Sequence, residues 1–280
     1  MSLLLPSAKA GGRPVSSNRT ASNAILYQYR VLVALFFREA QVRRGAAFAL
    51  GYMAAGLEPI IIVVAISLLF TALGRQPGYG ISLLVFIGTG VFPIYLFIHT
   101  SMRLREPFAN EGQGRLPIEG TLDHVFVHAL LHLLATAVVT TGFFAFLYLV
   151  LGQKEALPFD LAEALEALGA IFIFGVAMGM VNSVIARLLP IWNSIWPGVA
   201  RAAIHFSGMY FIADFLTPDI RRYFAFNPIL HGVNWFRTAF YPTYPTNIDN
   251  HVYIVLSSGV AITIALLLER IFREKLTNGE

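Results

Sequence analysis

Six long apolar segments constrain what this chain can fold into. Each is close to or longer than the ~20 residues that a helix needs to cross the apolar core of a bilayer. They lie at 46–73, 81–102, 124–151, 161–187, 194–216 and 252–271. Because lipid offers no hydrogen-bond partner to exposed backbone, such segments cross membranes as helices. The sequence therefore predicts an all-α integral membrane protein with six transmembrane helices.

The composition excludes a soluble globular protein. Of the 280 residues, 56% are hydrophobic and only 13% are charged, whereas soluble domains carry roughly 25% charged residues. The chain has no cysteine, so it can form neither disulfides nor thiolate metal sites. The net charge of +4 has to be interpreted through the placement of the basic residues relative to the membrane. We expect membrane lipids around this chain and no nucleic-acid partner.

The two ends of the chain differ from its apolar middle. Residues 1–23 are rich in Ser, Ala, Gly and Arg and predict a disordered cytosolic tail, and 272–280 form a cytosolic C-terminus. Over 24–44, apolar residues recur at helical spacing opposite an Arg-rich face. This pattern predicts an amphipathic helix in the membrane interface, with its arginines toward lipid phosphates. A soluble helix packed against a partner is the alternative.

The distribution of Lys and Arg predicts the orientation. With six spans, both termini lie on one side of the membrane, and that side carries fifteen of the twenty basic residues. The opposite side carries Arg75, Lys154, Arg221, Arg222 and Arg237. Because basic loops are retained in the cytosol, we predict that both termini are cytosolic.

The longest polar interruption on the cytosolic side is the loop 103–123. It is rich in Gly, Pro, Arg and Glu, with one amphipathic turn formed by Leu104, Pro107 and Phe108. Such a loop can form a short helix across the mouth of a helical bundle. A soluble partner could push on the bundle through that helix.

The segment 217–250 is unusually apolar for a loop outside the membrane. It carries eight aromatic residues between Tyr223 and Tyr244, and Asn227-Pro228 interrupts it. Proline lacks an N–H and disfavours helical geometry in the residue before it. We therefore predict a pair of short re-entrant helices that meet near Asn227-Pro228. Breaks of this kind persist at membrane depth only when protein or a water-filled path covers them, so this segment could close the outer mouth of a channel.

Two charged residues fall inside predicted spans. Glu58, beside Pro59, lies deep in the first span, and Arg201 follows Trp196 and a Pro-Gly break in the fifth. Intramembrane charges are costly and indicate a substrate path by default, and the nearby Trp196 could offer a stacking surface to sugars. The alternatives are an arginine that reaches the interface and a protonated carboxyl satisfied by a neighbouring helix.

His124, His128 and His132 lie on one stripe of the third span, at i, i+4 and i+8. Two imidazoles four residues apart can share a zinc ion, but three along a straight helix cannot all reach one ion. No carboxylate cluster surrounds them in sequence. We expect polar packing at this end of the span and no metal site.

A nucleotide-binding loop is missing from the sequence. The only lysines are Lys9, Lys154 and Lys275, and none follows a glycine, so no G-x-x-x-x-G-K-[ST] loop exists. Any ATP used by this protein, with its Mg²⁺, must bind to a partner subunit. We expect no cofactor in this chain.

Several short stretches together carry a family resemblance. They are Phe37-Arg38-Glu39, Gly51-Tyr52, Leu57-Glu58-Pro59, Gly90-Val91-Phe92-Pro93, Ala109-Asn110-Glu111-Gly112, Asn227-Pro228-Ile229-Leu230-His231 and Trp235-Phe236-Arg237. In this order and spacing, over roughly residues 30–275, the chain resembles the membrane subunits of capsular polysaccharide ABC exporters, which are ABC-2 type permeases. Each stretch alone would be weak.

The resemblance implies a homodimeric permease of the bacterial inner membrane, with two ATPase subunits on its cytosolic side. It implies a lipid-linked polysaccharide as substrate, and it makes a periplasmic polysaccharide co-polymerase and an outer-membrane export protein candidate partners. The segment 103–123 matches the family's coupling loop, with candidate residues Arg103, Arg105, Glu106, Phe108, Asn110 and Glu111. The segment 217–250 matches its outer gate, with candidate residues Asn227, Pro228, His231, Trp235 and Arg237.

Two other functions compete with polysaccharide export. One is a membrane enzyme that acts on lipid-linked sugars. Acidic residues are scarce in the spans, however, and His205 and Ser207 point to different sides of one helix. The other is an ion-coupled secondary transporter, which should show two similar halves with matching helix breaks. Pro59 in the first span has no counterpart in the fourth.

Overall fold

A computed structural model of the chain describes residues 46–104 and 121–278, with side chains described over 56–104, at Val127 and over 129–272. The predicted tail 1–23 and interface helix 24–44 lie outside the described residues. The coupling-loop candidates Arg105, Glu106, Phe108, Asn110 and Glu111 lie outside them as well. Of the three histidines on the third span, only His132 has a described side chain.

The described residues contain eight α-helices and no strand. The helices are α1 (Ala46–Ala72), α2 (Leu83–Arg103), α3 (Thr121–Leu149), α4 (Leu161–Leu188), α5 (Trp192–Phe206), α6 (Pro218–Phe224), α7 (Pro228–Thr238) and α8 (His251–Asn278). Two short 3-10 helices lie at Lys154–Ala156 and Ala213–Phe215. The predicted all-α class is confirmed.

Four helices are long and apolar enough to cross a membrane, judged by length and composition. They are α2, α4, the part of α3 from Ala129 to Leu149, and the part of α8 from His251 to Phe272. The apolar stretch Gly56–Ala72 of α1 is shorter. The total of six spans stays a prediction.

The fifth predicted segment, 194–216, is not one continuous helix. Helix α5 has 15 residues and ends at Phe206, and Gly208 follows in the left-handed region with φ of 73°. The residues after Gly208 include buried Met209, Ile212 and Ala213. The predicted span extended to 216 because these residues are apolar in composition. They are buried by protein, but the backbone is no longer helical there.

Local sequence explains where several helices begin. The Ser82 hydroxyl accepts a 3.3 Å hydrogen bond from the Val85 amide at the start of α2, and Asp160 accepts one of 3.0 Å from the Glu163 amide at the start of α4. Asn227 does the same for the Ile229 amide before α7, at 3.1 Å. These side chains satisfy amides that the first helical turn leaves without partners.

Helix α2 lies at the centre of the bundle and is buried over almost its whole length. It contacts α1, α3, α4, α5 and α7, and α8 packs mainly against α4. Gly175 and Gly179 of α4 face α2, where an added Cβ would lie 3.0 Å from Thr100 Cβ and 2.8 Å from Leu104 Cβ. Two small residues four apart therefore permit the close α2–α4 contact, as is typical of membrane helices.

Helices α2, α4 and α8 begin at the same end of the bundle, which the charge distribution predicts to face the cell exterior. We call it the outer end. Apolar side chains such as Leu68, Val138 and Val260 are exposed on α1, α3 and α8. Such surfaces suit lipid or a second subunit, because they would be unfavourable in water.

Candidate functional site

Helices α6 and α7 follow each other along the chain and are separated by a break at Asn227-Pro228, and we call this pair of helices the hairpin. Asn227 is extended, with φ of −88° and ψ of 109°, and Pro228 is the first residue of α7. The Asn227 side-chain amide donates hydrogen bonds of 3.0 Å to the Phe206 carbonyl and to the Ser207 hydroxyl. The break is thus held against the end of α5.

Helix α7 lies inside the bundle and does not cross it. Its 11 residues span about 16 Å at 1.5 Å per residue, half of the roughly 30 Å apolar core of a bilayer. At its C-terminal end the Thr238 hydroxyl donates a 2.6 Å hydrogen bond to Glu163, in the first turn of α4. Nearer the start of α7, the Cα of Gly232 faces Ile171 of α4 and Ile254 of α8 so closely that a Cβ would lie within 3 Å of both.

Arg237 near the end of α7 is fully buried, with 0% of its surface exposed. Its guanidinium donates hydrogen bonds to the carbonyls of Met209 (2.8 Å), Phe211 (3.2 Å) and Phe86 (3.4 Å), and to the Tyr244 hydroxyl (3.2 Å). It also lies 4.3 Å from the centre of the Phe86 ring. Carbonyl dipoles and a ring face therefore surround the guanidinium charge.

The geometry around Arg237 requires glycine on α2. A Cβ at Gly90 would lie 2.4 Å from the Met209 carbonyl oxygen and 2.8 Å from an Arg237 nitrogen. The carbonyls of Met209 and Phe211 are available because the chain leaves helix α5 beyond Phe206. Arg237 thus connects α7, α2 and the segment after α5.

The other predicted gate residues lie on the same helix. His231 is buried, and its Nε2 is 2.8 Å from the Ala225 carbonyl oxygen. Trp235 stacks on His251 at 4.0 Å, and His251 Nε2 is 2.8 Å from Asp249 Oδ2. Burial raises the pKa of the Asp249 carboxyl, and the neighbouring His251 lowers it part of the way. All the predicted gate residues therefore lie on α7 or immediately before it.

A group of polar and aromatic residues at the outer end was not predicted from the sequence. Glu155 accepts hydrogen bonds from the amides of Ile81 (2.8 Å) and Ser82 (3.1 Å) just before α2. The ring of Tyr79 contacts those of Tyr241 and Tyr244 at 5.4 and 5.5 Å. Burial, and secondly the Glu155 carboxylate, raise the pKa of the Tyr241 phenol. The sequence feature that could have indicated this group is Glu155, an acidic residue in the short segment between α3 and α4.

A second polar group lies where α1, α2 and α3 meet. Glu58 Oε2 is 3.2 Å from His99 Nε2, and the His99 ring is 6.0 Å from that of His132. With Tyr95 and Thr136, the two histidines line a cavity of about 30 Å³, the volume of about one water molecule. His99 was not singled out from the sequence, because its partner is 41 residues away along the chain.

The three predicted substrate-path residues occupy different environments. Glu58 is half-exposed, at 54% of its side-chain surface. Arg201 on α5 is exposed, and both it and Glu58 lie within electrostatic range of the Tyr95 hydroxyl. Trp196 is buried and its ring stacks near Trp192 at 6.2 Å. The structure thus leaves the Glu58 and Arg201 side chains exposed and turns the Trp196 ring toward protein.

No group of three or more His, Asp or Glu side chains in the described part of the chain could hold a metal ion. His132 lies 3.5 Å from the Thr136 hydroxyl. Arg103, the one coupling-loop candidate that is described, ends α2 and lines the cavity beside His99.

Comparison with known proteins places this arrangement in a family. The ABC-2 type transporter family matches residues 30–241, which include α1 to α7. The chain belongs to the ABC-2 type transporter family. The resemblance inferred from the short motifs is thereby confirmed, and the helical bundle is that of a transporter permease.

Three relatives have similar length. The capsule polysaccharide export inner-membrane protein CtrC of Neisseria meningitidis serogroup A is 22% identical over 252 residues, 87% of this chain and 91% of the relative. The capsule polysaccharide export inner-membrane protein BexB of Haemophilus influenzae is 22% identical, over 90% of this chain and 95% of the relative. The polysialic acid transport protein KpsM of Escherichia coli is 25% identical, over 85% and 91%.

Proposed function

We propose that this chain is the membrane-spanning permease subunit of an ATP-driven exporter that moves a lipid-linked capsular polysaccharide across the bacterial inner membrane. The observation that carries the proposal is the similarity to capsule export proteins along almost the whole chain, including the hairpin formed by α6 and α7. In this proposal the chain performs no covalent chemistry. Two copies form the channel, and two ATPase subunits bind ATP and Mg²⁺.

In the proposed topology both termini are cytosolic and the hairpin of α6 and α7 enters the membrane from outside. Helix α7 is about half as long as the bilayer core is thick, and α2, α4 and α8 bury it. This supports a re-entrant hairpin, because backbone breaks at membrane depth require cover by protein. The hairpin would close the outer mouth of the channel.

The proposed substrate path runs past Arg201 and Glu58. Both are exposed on helices from distant parts of the chain, and both lie within electrostatic range of the Tyr95 hydroxyl. An exposed guanidinium in apolar surroundings would attract the phosphate or the sugar carboxylates of the substrate. Exposed aromatic rings along the path would stack weakly on sugars, which would permit a long chain to slide.

The proposed function is tested by joint reconstitution. The purified chain is placed in proteoliposomes with a candidate ATPase subunit that carries a Walker-A loop, and ATP hydrolysis and movement of lipid-linked polysaccharide are measured. We expect both activities only when the two proteins are present together. A partner with its Walker-A lysine replaced is the control. Polysaccharide movement without ATP, or sugar transfer by the chain alone, would contradict the proposal in favour of a secondary transporter or an enzyme.

The role of the coupling loop is tested separately. Replacing Glu106 and Asn110 with arginine should dissociate or uncouple the ATPase, because bulky cations would occupy its docking surface. Asn247→Arg, at an exposed position after α7, is the matched control that adds the same cation elsewhere. Normal ATPase binding and export by the loop variant would show that 103–123 is not the coupling element.

A further inference from the structure

The two helices of the hairpin are held very differently. Helix α7 buries eight of its 11 residues, whereas α6 buries none of its seven. On α6 and its flank, Tyr223 is 64% exposed and Phe226 is 73% exposed. Segments with few buried contacts open at low free-energy cost, whereas well-packed ones open only with the whole fold.

Arg237 is the strongest reason for α7 to stay in place. Movement of α7 away from α2 would separate the guanidinium from the carbonyls of Met209 and Phe86. It would leave a buried cation without acceptors and buried carbonyls without donors, both of which are strongly unfavourable.

Helix α6 depends on contacts that can exchange easily. The Phe224 ring lies 5.8 Å from that of Phe206 and 5.4 Å from that of Phe211. At its end, the Tyr253 hydroxyl donates a 3.0 Å hydrogen bond to the Phe226 carbonyl. Tilted and edge-on ring contacts tolerate several geometries, and the exposed hydrogen bond of Tyr253 can be replaced by water. The hydrogen bond between His231 and the Ala225 carbonyl lies at the Asn227 end of α6, where the helix would turn.

We propose that α7 is the fixed wall of the outer gate and that α6 is the part that moves. Helix α6 swings about its two ends, near Thr217 and near Asn227, while Arg237 keeps α7 attached to α2. The inference rests on the proposed export function. Of the two sides of the break at Asn227-Pro228, only the α6 side turns.

Two reducible cross-links in this cysteine-free chain test the proposal. The first joins α6 to α5 through Phe206→Cys and Phe224→Cys. The second joins α7 to α4 through Glu163→Cys and Thr238→Cys, which replaces an existing 2.6 Å hydrogen bond. Both residues of the second pair line an open polar pocket of about 430 Å³ at the outer end, so a short bifunctional thiol reagent can reach them.

Each cross-linked exporter, reconstituted with its ATPase, is compared with the same sample after reduction. We expect the α6–α5 link to lower polysaccharide export at least about tenfold and the α7–α4 link to change it less than about twofold, since only a moving element is sensitive to being fixed. Export that survives the first link, or that stops with the second, overturns the proposal. Failure of the unmodified chain to export would instead contradict the proposed function.

If a cysteine pair impairs export even when the cross-link is reduced, a second measurement tests the proposal. Single cysteines at Tyr223 on α6 and at Phe236 on α7 are labelled from outside with a membrane-impermeant thiol reagent, with and without trapped ATP. The rate at position 223 should change and the rate at 236 should stay low in both states. A nucleotide-dependent rise at 236, or an unchanged rate at 223, contradicts the assignment.

Discussion

Arg201 and Arg237 both lie in apolar surroundings, but Arg237 is buried and Arg201 is exposed. Arg237 is completely enclosed, and four hydrogen bonds and an aromatic ring hold its guanidinium. Arg201 is exposed on α5. Within the described part of the chain, the structure shows no hydrogen bond or ion pair for it.

The difference shows when a buried cation is structural and when it is available for function. An enclosed guanidinium is stable where backbone carbonyls converge on it, and the broken end of α5 supplies two of them. An exposed guanidinium in a membrane protein retains its donors for a ligand. The four predictions below test this distinction, in order of expected effect.

Arg237→Met should have the largest effect. The variant keeps much of the side-chain volume but leaves the carbonyls of Met209 and Phe211 without donors, which should lower the free energy of unfolding by about 2–4 kcal/mol. Thermal unfolding in detergent measures the loss. Arg237→Lys should recover only part of it, because an ammonium cannot reproduce the planar fork of donors. A wild-type midpoint for the Met variant would show that Arg237 is not the anchor.

Gly90→Ala tests the same anchor from the side of α2. The new Cβ would lie 2.4 Å from the Met209 carbonyl oxygen and must displace it from Arg237, so we expect a loss of about 1–3 kcal/mol. Gly142→Ala on α3 is the matched control, because nothing lies within 4 Å of its added Cβ. Equal melting temperatures for the two variants would contradict the close contact.

Arg201→Ala should change transport and leave stability almost unaltered. Loss of one charge-assisted contact to the anionic substrate should lower export about tenfold, while the unfolding free energy stays within about 0.5 kcal/mol of wild type. Arg201→Lys should retain part of the export. Arg75→Ala, another exposed arginine, should export normally. Full export by Arg201→Ala would mean that this side chain only reaches the membrane interface.

Asp249→Asn should have the smallest effect, under about 1 kcal/mol. Because burial raises the pKa of Asp249, the folded protein favours the protonated acid. The stability from this protonation is fully present below the ordinary carboxyl pKa and is lost as pH rises through the raised pKa. Wild type should therefore gain stability relative to the amide variant as the pH is lowered through this range. Melting curves measured over a pH series would show a gap of the opposite sign if the carboxylate form were favoured.

The sequence predicted those features of the fold that depend on neighbouring residues. Helical class follows from long apolar segments, and the break at Asn227-Pro228 follows from the geometry of proline. The prediction that the fifth span continues as one helix to 216 was wrong. Residues 207–216 are mostly apolar, and several of them, such as Met209 and Ile212, are buried by contacts made far along the chain. The pairing of Glu58 with His99 and the enclosure of Arg237 likewise depend on which helices meet. Arg237 was placed among the charges outside the membrane, because no sequence pattern around it indicates the carbonyl groups that it contacts.

The half-length of α7 also has a consequence for biosynthesis. Helix α7 has 11 residues and begins at Pro228, after the extended Asn227. It cannot be left in lipid alone, because its first amides and the preceding break need protein around them. That cover comes from α2 and α4, which are synthesised earlier, and from Ile254 of α8, which is synthesised later. Helix α7 must therefore reach its final position after α8 has entered the membrane, because a helix that begins at His251 completes the cover of one that begins at Pro228.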